Sequence, residues 1–454
     1  MTALSIAFLL PWVAGVVLVV LDGRRGIVGW LGVAALAGTI ASLAVVALSA
    51  PAGGTVSFTT GSWPAGVGIT IRADPFGLLF AILSLVTLAA AVIHEVLEGV
   101  REQEFPGVAV LLGAGLCGLF LTADLFNFYV FFELALAAAY VLSVYGRTPR
   151  AIGAGLLFTA VNVVGTFVFL LSVASVYRVT GTLDMVAIGE RMAGADPNAA
   201  ILIAVGFFVA FGVKLGLFPF HFWLPTVYTG SRPAVAAILS GSVANIGAYG
   251  LLRFGAGLLP RELELAAGTL VVIGAASIVY GGVLAISRRT ASEMLAYSAI
   301  GQVGYVLVAI GIGGPAGFAA AIVYTVINAL NKTMLFLTTR IRGPLVGAVF
   351  VIGALSVAGV PPAAGFIGKL ELFGAVHDDP ALVVLLIVGA LLSLLYAFQI
   401  YQYDHWVAPR DDAPARWQPR AVPIVLGAVI LGVGLWPEPL LAVSHVAAGV
   451  LSGR

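Results

Sequence analysis

The sequence predicts an all-α polytopic membrane protein of about 14 transmembrane helices, with two inverted five-helix repeats and two broken helices. Hydrophobic residues make up 61% of the 454 residues and charged residues only 9%, too few to cover a water-soluble domain. Apolar stretches of about twenty residues, the length that spans a bilayer, recur along the chain. Because backbone groups in lipid must hydrogen-bond internally, a helical bundle explains this pattern.

Fourteen apolar segments follow one another within a single predicted membrane domain, 1–454. The longest polar interruptions are 51–74, 178–198 and 405–420, which we interpret as surface loops. The segments span 3–21, 27–50, 75–96, 106–122, 126–146, 151–177, 199–218, 233–255, 264–286, 295–313, 315–338, 345–374, 382–404 and 421–442.

Charge and cysteine content exclude several other classes. The net charge of +1 gives no support for nucleic-acid binding. The single cysteine, Cys117, excludes an internal disulfide and a thiolate metal cluster. The first segment begins at Ala3 with no basic residue before it, so we expect a retained helix rather than a cleaved signal. We predict no metal site and no cofactor.

The arginines predict the orientation of the bundle. Thirteen lie in odd-numbered connections and five in even-numbered ones, which favours odd connections on the cytoplasmic side and both termini on the outer face. The odd set is Arg24, Arg25, Arg101, Arg147, Arg150, Arg232, Arg288, Arg289, Arg340, Arg342, Arg410, Arg416 and Arg420, and the even set is Arg72, Arg178, Arg191, Arg253 and Arg261.

Charged side chains inside the predicted helices carry the functional signal. The three lysines, Lys214, Lys332 and Lys369, all fall in membrane segments. An ammonium at the bilayer centre costs about 2.5–3.5 kcal/mol on insertion scales. Burial can let a lysine change charge, which an arginine cannot do, so lysine suits proton transfer. A structural tie between helices is the alternative for each of them.

Glu133 is the matching acid, in an apolar part of the fifth segment. A carboxylate there is expected to be protonated or paired with a cation, and Lys214 is the most economical partner. A structural ion pair that locks two helices is the alternative interpretation.

Two segments are predicted to break beside their lysines. Gly216 and Pro219 follow Lys214, and a double proline at 361–362 precedes Lys369. Segments 4–8 and 9–13 form two five-helix blocks, 106–255 and 264–404, each with its break in the fourth helix. Interrupted helices at corresponding places point to ion sites in transporters with inverted repeats.

Four ordered motifs carry a family resemblance. They read TADLFNFYVFFE at 122–133, KLGLFPFHFWLP at 214–225, LAYSAIGQVGY at 295–305 and GVPPAAGFIGK at 359–369. The chain resembles, over about 70–440, the proton-translocating antiporter-like subunits shared by respiratory complex I, membrane-bound hydrogenases and Mrp cation/proton antiporters. Its ending is most similar to the D-type subunits of the Mrp antiporters.

The resemblance implies a buried hydrated axis for proton transfer. Glu133, Lys214 and Lys369 match the fifth-, seventh- and twelfth-helix positions of the family, and Lys332 is the lysine of the eleventh helix. Asn245 stands where the eighth helix usually has a lysine, and Asn328 where a histidine is common. Asparagine cannot take up a proton near neutral pH, so a continuous path needs water across Asn245.

Other polar side chains are candidates for the edges of that axis. His221, just past the seventh segment, extends the path or anchors a loop by a hydrogen bond. Tyr297, Ser298 and Gln302 hydrate the axis or hydrogen-bond between helices.

Three functions are compatible with the sequence. The favoured one is the proton-conducting subunit of a multi-subunit Na+/H+ or K+/H+ antiporter in the plasma membrane, with other integral membrane subunits as partners. The second is a pump subunit of a redox-driven, complex I-like or hydrogenase complex. The third is a coupling subunit for inorganic-carbon uptake in which Asn245 marks a lost step.

Overall fold

The computed structural model describes residues 2–50, 54–59, 61, 68–341, 343–403 and 418–452. The predicted loop 405–420, apart from its last residues, and Arg342 lie outside this part of the chain. The described chain is almost entirely helical. Its helices are α1 Thr2–Val20, α2 Gly26–Ser49, α3 Pro75–Glu98, α4 Phe105–Leu121, α5 Leu125–Ser143, α6 Pro149–Thr180, α7 Met185–Met192, α8 Pro197–Leu215, α9 Leu224–Gly230, α10 Pro233–Ala256, α11 Pro260–Ile286, α12 Ala291–Ile312, α13 Gly314–Thr338, α14 Pro344–Ala358, α15 Ala364–Val376, α16 Pro380–Tyr401, α17 Ala421–Leu435 and α18 Glu438–Leu451.

Twelve helical spans in the described residues are long and apolar enough to cross a bilayer, when α8 and α9 count as one span. The shorter apolar helices are α4, α14 and α18. These spans, together with α4 and the α14–α15 pair, cover the fourteen segments of the sequence analysis. The polytopic helical class is confirmed, and the exact number of crossings stays a prediction.

Burial separates central helices from peripheral ones. α10, α12 and α13 are almost wholly buried, whereas α1, α2, α6, α11, α16 and α17 leave most of their apolar surface on the outside of the bundle. Leu48, Leu156 and Leu202 are each more than two-thirds exposed, which suits hydrocarbon rather than water.

Small residues let α11 and α12 approach closely. A Cβ added at Gly281 would collide with the backbone nitrogen of Gly301, and one at Gly304 would collide with the carbonyl oxygen of Gly274. Small residues at a helix interface allow this contact because membrane helices associate through packing rather than through the hydrophobic effect.

Both predicted helix breaks are confirmed. α8 ends at Leu215 with Gly216 in the left-handed region (φ 64°), and a 3₁₀ turn, Phe220–Trp223, precedes α9. α14 ends at Ala358 with Gly359 at φ 82°, and the chain re-enters a helix at Ala364. Proline cannot donate a backbone hydrogen bond, so each break falls where the sequence places its prolines.

The structure differs from the predicted segments at the C-terminus and in two loops. The last segment, predicted at 421–442, stops at Leu435 because Pro437 cannot continue it, and α18 follows. The loop 51–74 contains an antiparallel hairpin of β1 Val56–Thr59 and β2 Thr70–Ala73. The loop 178–198 contains α7.

Contacts between loops support the predicted alternation of the helices. Arg232, in the seventh connection, contacts Glu95 and Glu98 at the end of α3, with shortest N–O distances of 3.5 and 3.1 Å. At the other end of α3, Asp74 contacts Arg253 near the eighth connection at 2.8 Å. The 24 residues of α3 separate the two pairs by about 36 Å at ~1.5 Å per residue. Odd and even connections therefore gather at opposite ends of the bundle.

Candidate functional site

Lys214 lies in the last turn of α8, just before the break, and only 3% of it is exposed. Its Nζ donates to Oδ1 of Asn162 on α6 at 3.2 Å. The rings of Phe132 and Phe158 lie beneath the ammonium, with centroids 5.8 and 5.1 Å away. Lys214 is therefore held by one neutral amide and two aromatic faces.

Glu133 is not in direct contact with Lys214, so the expected direct ion pair is wrong. Among the described residues no carboxylate oxygen lies within 4.0 Å of the Lys214 Nζ. Glu133 is half-buried on α5, and its Oε1 is buried with no hydrogen-bond partner among the described residues. Asn162 on α6 takes the bonding position that the sequence analysis gave to the acid.

Lys332 lies in the middle of the bundle, on α13, and is 1% exposed. Its Nζ donates to Ser298 Oγ at 2.7 Å and to the carbonyl oxygen of Leu295 at 3.3 Å, both on α12. Ser298 Oγ lies 2.7 Å from Tyr396 Oη on α16. One lysine thus ties α13, through α12, to α16.

A run of polar side chains continues from Tyr396 towards the second break. Gln302 Nε2 donates to Tyr396 Oη at 3.3 Å, and Tyr324 Oη donates to Gln302 Oε1. The ring of Tyr324 stacks on that of Tyr305 with centroids 5.2 Å apart. The Lys369 Nζ lies 4.9 Å from the Tyr305 centroid. Lys332 and Lys369 are therefore connected by a continuous series of contacts.

Lys369 caps the end of α14. Its Nζ donates at 2.9 Å to the carbonyl oxygen of Ala358, the last residue of that helix. The carbonyl oxygens of a C-terminal turn lack partners within the helix and carry partial negative charge, so they attract a cation. The break that the prolines impose therefore supplies a neutral oxygen ligand for a buried lysine.

Asn245 occupies the middle of α10 and is 3% exposed. Its Nδ2 donates to Ser84 Oγ on α3 at 3.0 Å and to the carbonyl oxygen of Gly241 at 2.8 Å. Thr87 Oγ1 bonds the same carbonyl at 3.0 Å and lies 2.8 Å from Ser242 Oγ. This hydroxyl and amide cluster fills the position where the resemblance leads us to expect a lysine.

The Asn245 cluster lies between the two halves of the site. On one side Gly247 packs against Leu215, the neighbour of Lys214. On the other side Gly241 packs against Thr333, the neighbour of Lys332, so closely that a Cβ would collide with Thr333 Oγ1. Asn245 therefore lies on the part of α10 between the neighbours of the two lysines.

The other residues that the sequence analysis predicted, Asn328, Tyr297 and His221, lie at the margins of this site. Asn328 is half-buried on α13, one helical turn from Lys332. The centroid of the Tyr297 ring lies 4.6 Å from the Arg288 guanidinium carbon. His221 lies in the first break beside Tyr280, with ring centroids 4.4 Å apart, and its buried Nδ1 has no hydrogen-bond partner in the described part of the chain.

Several site residues were absent from the sequence analysis. Asn162, Tyr324, Ser393 and Tyr396 all contact predicted residues or each other. Their signal was a polar side chain inside an apolar segment, which is costly unless it finds a partner. Which partner it finds depends on helix packing, and sequence spacing does not reveal that.

Relatives over nearly the whole chain have names that refer to cation/proton antiporters. The D-type subunit of the Na(+)/H(+) antiporter of Alkalihalophilus pseudofirmus is 29% identical, over 96% of this chain and 94% of that protein. The D-type subunit of a probable K(+)/H(+) antiporter of Rhizobium meliloti is also 29% identical, over 94% and 91%.

Solved structures show the same architecture. A chain of the Mrp complex from Dietzia sp. superposes with a TM-score of 0.89 at 25% identity, over 99% of this chain and 97% of that one. A chain of respiratory complex I from Thermus thermophilus superposes with a TM-score of 0.84 at 25% identity, over 99% of both. The family model described as NADH:quinone oxidoreductase/Mrp antiporter, transmembrane, matches residues 122–395, which include all four charged residues of the site. The chain belongs to this family of membrane subunits, which the NADH:quinone oxidoreductases and the Mrp antiporters share.

Proposed function

We propose that this protein is the proton-conducting subunit of a multi-subunit monovalent cation/proton antiporter. The observation that carries the proposal is that three buried lysines have only neutral oxygen ligands among the described residues. A lysine locked in an ion pair is held in the charged state, whereas one bound by an amide, a hydroxyl or a carbonyl can lose its proton. The relatives named as subunits of Na(+)/H(+) and K(+)/H(+) antiporters support this function.

In the proposed mechanism a proton changes the charge of Glu133, Lys214, Lys332 and Lys369 in turn. Each change alters the electrostatic energy of the next group, because charges within the low-dielectric bundle interact strongly. Gln302 cannot relay a proton through its amide near neutral pH, so it orients Tyr324 and Tyr396 while water carries the proton past it. The same holds for Asn245, and we propose water across both positions.

We also propose that α4–α10 and α11–α16 are inverted repeats, about 106–255 and 264–404. The fourth membrane segment of each block is broken and has a buried lysine beside the break, which supports this proposal. With odd connections on the cytoplasmic side, both termini lie on the outer face. Other integral membrane subunits are the proposed partners, and Na+ or K+ is the proposed coupling ion.

Antiport in inverted vesicles tests the function. The whole operon is expressed in an antiporter-deficient bacterial host, and a dye follows the pH gradient when Na+ or K+ is added. We expect the cation to collapse the gradient with the wild type and not with Lys214→Ala or Glu133→Ala. Glu190→Ala, at an exposed position on α7, is the matched control and should behave as the wild type.

Lys214→Arg separates a titrating lysine from a structural one. Arginine keeps the positive charge but does not release its proton, so we expect this variant to assemble and fail to transport. Normal antiport by Lys214→Arg would contradict the proton-transfer role.

A subunit of a redox-driven complex is the second candidate, favoured by the likeness to complex I of Thermus thermophilus. If the wild-type operon shows no response to either cation, the antiporter proposal fails. Copurification with subunits that carry flavin or iron–sulfur centres would then favour the redox-driven complex.

A further inference from the structure

An apolar cavity of about 290 Å³ lies between α8, α10, α11 and α12. Phe207, Phe211 and Phe254 form its inner wall, and Leu263 and Ala266 belong to its outer wall. Its described lining is hydrophobic apart from Thr269 and one charged residue, Glu262. The π-helical stretch of α10, Leu251–Ala256, contributes Leu251, Phe254 and Gly255 to the lining.

The mouth of this cavity faces the side of the bundle. Ile201, Val205 and Leu265 line it and are 40%, 53% and 74% exposed, and all three belong to helices that span the membrane. An apolar cleft open to the side of a membrane helix meets hydrocarbon rather than water. The occupant that fits this lining is therefore an acyl chain.

The charged residues at the start of α11 fit a zwitterionic headgroup. Glu262 lines the cavity in the first turn, next to the exposed Arg261 and near the exposed Glu264. The N-terminal turn and the Arg261 guanidinium favour a phosphate, and the two carboxylates favour an ammonium. A purely anionic headgroup would place no ammonium beside Glu262.

We propose that this cavity binds one acyl chain of an aminophospholipid, phosphatidylethanolamine, with Glu262 holding its ammonium group. Binding to the cavity does not depend on the proposed antiport function, and the test below is independent of transport.

The cavity is next to an aromatic layer around Lys214 that includes Phe132, Phe158 and Phe211. Phe207, Phe211 and Lys214 share one face of α8 because they are four and three residues apart. The Phe211 ring lies 6.3 Å from that of Phe132, which lies beneath the Lys214 ammonium. An acyl chain on the other side of Phe211 keeps water away from Lys214 on that side and fixes the packing of the layer.

Photolabelling of the assembled complex in nanodiscs tests the site. The probe is phosphatidylethanolamine with a photoactivatable diazirine in one acyl chain, and mass spectrometry maps the labelled peptides. We expect labels on α8 and α10 in the wild type and at least five-fold less label in Ala266→Phe, which fills the cavity. Val272→Phe, at a 67% exposed position of the same helix outside the cavity lining, is the matched control and should keep the label.

The headgroup is tested with a phosphatidylglycerol probe that has the same acyl chain. Wild type should label more strongly with phosphatidylethanolamine, and Glu262→Gln should remove that preference without displacing α11. Unchanged labelling in Ala266→Phe would overturn the acyl-chain site. Equal labelling by both probes in the wild type would show a non-selective boundary lipid and overturn the role of Glu262. Thermal unfolding of Ala266→Phe and Val272→Phe shows whether loss of label reflects loss of fold.

Discussion

The Lys332 Nζ lies 2.7 Å from Ser298 Oγ, which is closer than its other ligand, the carbonyl oxygen of Leu295 at 3.3 Å. Ser298 is in turn 2.7 Å from Tyr396 Oη, so one hydroxyl joins a buried amine to a phenol. Among the described residues Lys332 has no carboxylate within 4.0 Å. Within this distance the positive charge of Lys332 is therefore stabilised by neutral dipoles alone. Removing one of these dipoles should destabilise the charged state of Lys332.

Ser298→Ala should slow antiport strongly. The change deletes a hydrogen bond to a charged group, which contributes about 1.5–3 kcal/mol. If the activation free energy of the transport step that needs charged Lys332 rises by the whole of this amount, the rate falls by about 10- to 150-fold. Initial rates of gradient collapse in inverted vesicles measure the effect.

Ser175→Ala is the control for that variant, because Ser175 is exposed on α6 and bonds only its own helix at 2.9 Å. It should transport at the wild-type rate. Tyr396→Phe combined with Ser298→Ala should lose less than the sum of the two single losses, since both variants remove the Ser298–Tyr396 contact. Additive losses would show that Ser298 and Tyr396 act independently.

Asn162→Ala should impair transport without abolishing it. The Asn162 Oδ1 is the neutral ligand of Lys214 at 3.2 Å, and the Phe132 and Phe158 rings remain to hold the ammonium. We expect antiport to fall about tenfold, the equivalent of ~1.4 kcal/mol, and Glu133→Gln to remove it. Asn198→Ala, at an exposed residue of α8, should have no effect. Equal activity of Asn162→Ala and wild type would remove Asn162 from the site.

The breaks and the buried lysines could be predicted from the sequence because each rests on a local cost. Proline removes a backbone donor wherever it stands, and a lysine in lipid is costly whatever its neighbours are. Partners could not be predicted in this way. Glu133 and Lys214 share a membrane depth, yet Asn162 on a third helix takes the bonding position, because rotation and tilt of α6 decide which side chain reaches the amine.

The end of the last predicted segment was wrong although the local signal for it is present in the sequence. The sequence Trp436–Pro437 contains the signal that stops α17, but the apolar run continues past it and hydropathy predicts a segment to residue 442. The apolar run predicts a longer helix than Pro437 allows, and the structure follows the proline. The motif at 295–305 contains Ser298, but its bond with Lys332 follows from the packing of α12 against α13.

Gly359→Ala should disturb Lys369 more than it disturbs the fold. Gly359 has φ 82°, where an alanine costs about 1–2 kcal/mol, and an added Cβ would collide with Lys369 Cδ. The side chain would then withdraw from the Ala358 carbonyl, and antiport should fall. Vesicle antiport and thermal unfolding, measured on the same preparations, separate the two effects.

Gly181→Ala is the matched control for backbone strain. Gly181 also follows the end of a helix, α6, in the left-handed region at φ 68°, but an added Cβ there meets only the Arg191 side chain at 3.9 Å. Both variants should lose similar stability, and only Gly359→Ala should lose transport. Loss of transport in both would mean that helix-end strain, rather than Lys369, limits the rate.

Asp74→Asn should destabilise the protein at neutral pH and make its stability less dependent on pH. Asp74 caps α3 and is almost wholly buried; burial alone would raise its pKa, but Arg253 at 2.8 Å outweighs this and holds the pKa below its usual value. A lowered folded pKa means that the pair stabilises the protein above the unfolded value of about 3.9, and that this contribution is lost as pH falls through the folded pKa. Removing the carboxylate leaves Arg253 buried without its counter-charge, at a cost of about 3–5 kcal/mol.

Thermal unfolding between pH 7 and pH 3 measures this loss against Asp196→Asn. Asp196 caps α8 through two backbone amides at 3.0 Å but lies exposed, so the control removes the charge of a cap without unpairing an arginine. We expect Asp74→Asn to be much less stable than Asp196→Asn at pH 7, and the gap between Asp74→Asn and wild type to narrow as the pH falls below about 4. Equal losses in the two variants at pH 7 would show that Asp74 acts only as a helix cap, because both residues cap a helix and Asp74 differs from Asp196 by its buried arginine.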